Sequence, residues 1–396
     1  MVLVLASPFF FVPQETELDI PGPEEGATLF EVQSIDTMKY SRDLARERLR
    51  SVSFDAEIAS QMKLIKASGA THAAIDTPYD SEFIPILSRW VSAARKENLL
   101  VWFRGNFSGW EGWFGYPKIT EDAHAELLEK FIDENQALFE DGDIFSPCPE
   151  CENGGPGDPR QTGNRSGFND FITREYEIAT EKFSSLKKDV RVAYSMNADI
   201  ARDEIRLATA HTIGSLLLLD HYVPTSTQFL SDIQEIGRTQ ESSIGIGEFG
   251  SPILDVHGRQ TIDAQAKFVG DILKGLYEMP ERIPMLNYWT LKGGTTALIT
   301  QANEPKEVYK VISAYYLSPA ITGKIVNEDE NGLKNAVISV SGTRYKRKTD
   351  KDGQFRIFLP KTFSQIVISK DGFRSATITI DTKRDISTQY IRLERE

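Results

Sequence analysis

The 396-residue chain has only two cysteines and five histidines. Two cysteines exclude a disulfide-rich scaffold and a four-cysteine zinc site. His72, His124, His211, His221 and His257 show no metal-ligand spacing, so no metal is expected. Positive charge is short as well: 45 Lys and Arg face 58 Asp and Glu, a net charge of −13. Nucleic-acid binding needs basic surface to neutralise phosphates, so no such partner is expected. A Gly-x-Gly-x-x-Gly turn, the mark of a dinucleotide-binding doubly wound sheet, does not follow the first strand. What the chain does have is 40% hydrophobic, 10% aromatic and 26% charged residues. That is the makeup of a folded protein with a core, and the length fits one large domain plus a small one.

Three stretches differ in character. Residues 1–26 open on an apolar segment, 2–12, followed by a Pro/Glu-rich tether. The apolar run falls short of the about 20 residues that span a bilayer. It reads either as the core of an export signal, which would make the protein extracellular or cell-surface, or as a terminal strand that plugs a barrel. Residues 27–318 alternate strand-like runs, at 28–34, 72–76, 99–104, 143–146, 190–196, 215–220, 243–247 and 283–289, with helical patterns such as Ile84, Leu87, Val91 and Ala94. Eight strand–helix units imply a parallel sheet and, at this length, a (β/α)8 TIM barrel of the α/β class. Residues 319–396 show only short alternating segments, at 321–326, 336–341, 355–359, 365–369 and 376–380. Asn331-Gly332, Asp352-Gly353 and Asp371-Gly372 mark turns between them, so the tail reads as a small all-β sandwich. Its 15 basic and 10 acidic residues set it apart from the acidic barrel.

A barrel carries its active site at the C-terminal ends of its strands. The seventh strand ends Gly245-Ile246-Gly247-Glu248-Phe249-Gly250, an apolar run closed by one carboxylate between glycines. The fourth runs into Pro147-Cys148-Pro149-Glu150-Cys151-Glu152. Strands four and seven face each other across the mouth, and two facing carboxylates are what glycoside hydrolysis requires.

These strand ends resemble clan A retaining glycoside hydrolases, with glycoside hydrolase family 5 the nearest pattern. The resemblance implies that Glu248 is the nucleophile and Glu150 the acid/base, with Glu152 second in line. The family's Asn and Pro around the acid/base are Pro149 and Cys151 here. It further implies that Tyr222, after Asp220, bonds the nucleophile. Trp289 becomes the sugar platform, and Arg104 stands in for an arginine the family carries after strand two, where this chain has Asp76. Asn106, Trp110 and Trp113 would form a glycan-binding wall, and Asn197 would bond a sugar hydroxyl. No cofactor is needed, and the partner is a carbohydrate, hydrolysed or transferred. Retention requires the two carboxyls about 5–5.5 Å apart.

The tail resembles the carboxypeptidase regulatory-like β-sandwich family through Ile321-Thr322-Gly323-Lys324, Asn335-Ala336-Val337-Ile338, Asp350-Lys351-Asp352-Gly353 and Lys370-Asp371-Gly372-Phe373. Such modules accompany secreted or surface proteins. The run Tyr345-Lys346-Arg347-Lys348 reads as a contact for an anionic surface polymer or as a charged strand edge. Cys148 and Cys151 read as packing residues or a local disulfide. Three rival functions stay open: a catalytically silent glycan-binding barrel, a metal-dependent sugar isomerase using Glu150, Glu248 and Asp220 as ligands, and an attachment role centred on the tail with the barrel incidental.

Overall fold

The structure, a computed structural model, describes residues 28–155, 157–279, 283–381 and 386–396. The apolar segment and tether expected over 1–26 lie outside the described residues. Nine parallel strands make one sheet: β1 (Val32–Asp36), β2 (His72–Ile75), β3 (Leu100–Phe103), β4 (Ile144–Phe145), β5 (Arg191–Val192), β6 (Ser195–Asn197), β7 (Leu216–Asp220), β8 (Ser243–Phe249) and β9 (Met285–Tyr288). Their order is β5-β4-β3-β2-β1-β9-β8-β7-β6. The edge strands β5 and β6 are separated by Ala193 and Tyr194 alone, so the two edges of the sheet meet. The expected fifth strand is one run broken in the middle. Its first half pairs back to β4 and its second forward to β7. Nine segments thus fill eight places in a curled, TIM-like sheet wrapped by helices.

The helices form where the sequence has both a start signal and an apolar stripe. The helix Glu121–Glu134 begins at Thr120, whose side chain accepts from Ala123 N–H, and buries Leu128, Phe131 and Ile132. The first strand departs from expectation. It begins at Val32, because Leu29 and Phe30 are buried in the bend that precedes it and their apolarity mimics a strand. Asp36 rather than Ser34 therefore stands at its C-terminal end.

Alternation along the strands divides the barrel interior into layers. Val32, Ala74, Trp102, Ile144, Ala193, Leu218 and Met285 meet in one apolar layer. Gly245 completes it without a side chain, since a Cβ there would lie 2.5 Å from Leu218 Cδ2. Two residues further along each strand come Ser34, Asp76, Arg104, Ser146, Ser195, Asp220, Gly247 and Asn287. The apolar floor is therefore capped by a polar layer, and the cleft opens above it.

The tail forms two packed sheets from β10 (Ala320–Val326), β11 (Val337–Val340), β12 (Lys346–Lys348), β13 (Gln354–Phe358), β14 (Gln365–Lys370), β15 (Phe373–Thr379) and β16 (Ile386–Arg392). The orders are β13-β10-β16 and β12-β11-β14-β15. The polar β16, absent from the sequence reading, pairs parallel with β10. The run Lys346-Arg347-Lys348 is the edge strand of its sheet, where charge opposes edge-to-edge pairing. The sandwich is docked on the barrel. Tyr277 of the helix Ile262–Glu278 stacks on Tyr345 at 4.3 Å, and its hydroxyl donates to Phe358 O at 2.8 Å. Lys361 N–H donates to Ala314 O at 2.9 Å. Replacing the buried Tyr277 by Ala is expected to lower stability by about 3 kcal/mol, read as a shift in the denaturant midpoint. An unmoved midpoint would show that this contact holds nothing together.

Candidate active site

Arg104 rises from the end of β3 into the centre of the polar layer, with its side chain 1% exposed. Its Nη2 lies 2.8 Å from Glu248 Oε1 and 3.3 Å from Asp220 Oδ2, and its Nη1 lies 3.8 Å from Asp36 Oδ2. Arg104 Nη1 also donates to Gly247 O, which accepts from Asn287 Nδ2 at 2.8 Å as well. Gly247 has to be glycine: a Cβ would sit 2.2 Å from Asp220 Oδ1. One arginine among this many acids leaves negative charge in surplus. Burial pushes Asp220 and Asp76 well above the ordinary carboxylate range, although Arg104 pulls both down. Burial lifts Asp36 to about 7 against the same pull. Each of these carboxyls therefore binds its proton more tightly than a solvated one does.

Above it a cleft is lined by Arg104, Glu248, Glu150, Tyr222, Trp289, Trp113, Asn106 and Asp76 among others. The Tyr222 hydroxyl donates to Glu248 Oε2 at 2.9 Å, so each oxygen of Glu248 has its own partner. The Tyr222 and Trp289 rings meet edge-on at 6.2 Å, and one face of Trp113 is covered by the Arg42 guanidinium at 4.0 Å. Glu150 N–H donates to Ser195 O at 2.9 Å. Burial first, then the charges of Glu248 and Glu152, push the Glu150 carboxyl up to about 8. This carboxyl keeps its proton at neutral pH beside a second carboxylate, as a general acid must.

Of the residues singled out from sequence, Glu150, Glu248, Tyr222, Trp289, Arg104, Asn106 and Trp113 line the cleft, and Asp220 lies beneath it. Three fall elsewhere. Trp110 is fully buried, stacked on Phe171 at 5.0 Å, and has no face free for a sugar. Glu152 is fully buried, and its Oε1 accepts from Asn197 N at 2.7 Å and Nδ2 at 3.0 Å. Glu152 and Asn197 thus tie the β4 loop to β6, and neither lines the cleft. The reading missed Asp36, because the first strand was ended too early, and gave Asp76 no role. Asp76 lines the cleft 95% buried, and its Oδ1 has no partner. Cys148 and Cys151 form a disulfide around Glu150. Among the described residues, Asp36, Asp76 and Glu248 bring carboxylate oxygens within 4.8 Å of one another. Two of the three already face the Arg104 cation, and this is not the Glu150, Glu248 and Asp220 set expected of an isomerase.

Residues 321–396 match the CarboxypepD_reg-like domain family model. No curated protein sequence matches the chain. Among solved structures, a GH5_18 variant from Streptomyces cattleya in complex with Manβ1-4GlcNAc is similar at 12% identity, over 76% of this chain and 85% of that one, with TM-score 0.54. A Bacteroides uniformis β-glucuronidase shares 13% identity over 85% of this chain and 44% of its own, with TM-score 0.46. This chain thus spans under half of that protein. A Paenibacillus pabuli family 5 xyloglucanase shares 15% identity over 64% and 89%, with TM-score 0.48. Fold and family model together define a TIM-like parallel barrel joined to a CarboxypepD_reg-like β-sandwich.

Replacing Arg104 by Met is expected to cost about 3–5 kcal/mol, because it strands buried carboxyl groups without their cation. The measurement is the chemical-denaturation free energy at neutral pH. A loss below about 1 kcal/mol would show that the acids do not depend on it.

Proposed function

We propose that the chain is a retaining glycoside hydrolase acting on a β-linked oligo- or polysaccharide by double displacement. The observation that carries this reading is the holding of Glu248. Arg104 fixes one oxygen and Tyr222 the other, in a cleft that also holds a Glu150 that keeps its proton up to about pH 8. Glu248 attacks the anomeric carbon while the glycosidic C–O bond breaks and Glu150 gives its proton to the leaving oxygen. Forming the glycosyl ester removes the negative charge from Glu248. That charge is the second cause of the raised Glu150 value, so its loss makes Glu150 more acidic at the step where it yields its proton. Glu150 then takes a proton from water, or from a second sugar in a transfer, and the ester is cleaved. Trp289 offers an aromatic face to the sugar at the cleaved position.

Residues 27–318 act as the catalytic unit and 319–396 as an accessory module that meets a surface or extracellular polymer. The Cys148–Cys151 disulfide favours work outside the reducing cytosol.

Intact-mass measurement with a panel of 2-fluoro glycosyl inhibitors tests the nucleophile. A single adduct on the wild type, absent from Glu248→Gln, is expected. An adduct that persists in the variant, or a product of inverted anomeric configuration by NMR, overturns the reading. Glu150→Ala is expected to lose about 10²–10⁴-fold in kcat/KM on glycosides with poor leaving groups. The acid works only while protonated, so wild-type kcat/KM should fall as pH rises through about 8. An alkaline limb that stays in Glu150→Ala would assign it to another group.

A further inference from the structure

Behind the cleft wall His124 is fully buried, boxed by the rings of Trp110, Phe107 and Phe171 at 5.0, 5.1 and 5.6 Å. Its Nδ1 lies 2.9 Å from Oε2 of the equally buried Glu175, and its Nε2 lies 2.8 Å from Asn106 Oδ1. Phe107 N–H donates to that same Oδ1 at 2.8 Å, which fixes which end of the amide is oxygen. His124 Nε2–H therefore donates to it, and the Asn106 amide nitrogen is turned the other way. There it reaches Cys148 Sγ at 3.5 Å. Trp110, which His124 meets edge-on, donates Nε1–H to Cys151 O at 3.1 Å. Two struts from the His124 box thus end on the two cysteines that close the loop carrying Glu150. Glu150 itself has φ +48°. A non-glycine residue holds such a conformation at a cost of about 1–3 kcal/mol, and only where its surroundings over-determine it.

We propose that His124 and Glu175 are positioning residues for Glu150, acting through Asn106 and Trp110 on the disulfide-closed loop. Glu175 holds the imidazole, the imidazole sets the Asn106 amide, and Asn106 and Trp110 hold the loop so that the Glu150 carboxyl meets the leaving oxygen. The proposal rests on the reading of Glu150 as acid/base. A pair that served stability alone would slow every substrate alike.

The test compares kcat/KM on phenyl and 2,4-dinitrophenyl glycosides of the sugar that labels Glu248. The phenolate needs a proton to depart, whereas the dinitrophenolate departs without one. Glu150→Ala sets the scale, with a loss about 10²-fold or more greater on the phenyl glycoside. His124→Phe and Glu175→Leu are expected to lose at least about tenfold more on the phenyl than on the dinitrophenyl glycoside. Glu175→Gln, whose amide can donate to Nδ1, should keep the wild-type ratio within about threefold. Equal losses on both substrates in His124→Phe and Glu175→Leu overturn the proposal. Should His124→Phe fail to fold, Glu175→Leu against Glu175→Gln decides the matter. If Glu150→Ala shows no split between the substrates, the acid/base reading fails and this proposal with it.

Discussion

The site depends on one buried guanidinium. Among the described residues, Arg104 is the one cation of the barrel's polar layer, within reach of Asp36, Asp220 and Glu248. A cation in so dry a place is tolerable only because it is surrounded, and the acids are tolerable only because it is there. Burial nonetheless raises the carboxyls of Asp36, Asp76 and Asp220 above their ordinary range against the pull of Arg104. The arrangement leaves Glu248 with both oxygens bonded and Glu150 with a retained proton.

Strand alternation places that arginine. The residues that fill the apolar floor and those that form the polar layer lie two apart on the same strands and face the same way, so a one-residue slip of register would turn both sets outward. Glycines do the complementary work. Gly245 leaves room in the floor for Leu218, and Gly247 leaves room in the polar layer for Asp220. The Glu150 loop is built differently. It is irregular, holds Glu150 at positive φ, and is fastened by a disulfide and by bonds from Asn106 in the cleft lining and from the buried Trp110.

The eight strand–helix units and the β-sandwich tail were legible in the sequence, because hydrophobic periodicity and turn dipeptides are local properties. So was Glu248, since a lone carboxylate closing an apolar strand between glycines is a local anomaly. The first strand was misread because buried bend residues, Leu29 and Phe30, look like strand residues. With that shift Asp36 was lost. The polar β16 was missed because its place depends on pairing with β10, more than sixty residues earlier.

The chain's own order of residues thus determined the barrel, the sandwich and which strand ends carry carboxylates. Only the tertiary structure decided what those side chains do. Trp110 and Trp113 sit three residues apart in one loop, yet one is fully buried and the other lines the cleft. Glu150 and Glu152 are two apart, yet one faces the cleft and the other anchors β6. Asp36, Arg104, Asp220 and Glu248 are scattered over more than two hundred residues. Charge balance, burial and hydrogen-bond partners are properties of what meets across the barrel, and closing the sheet is what brings these groups together.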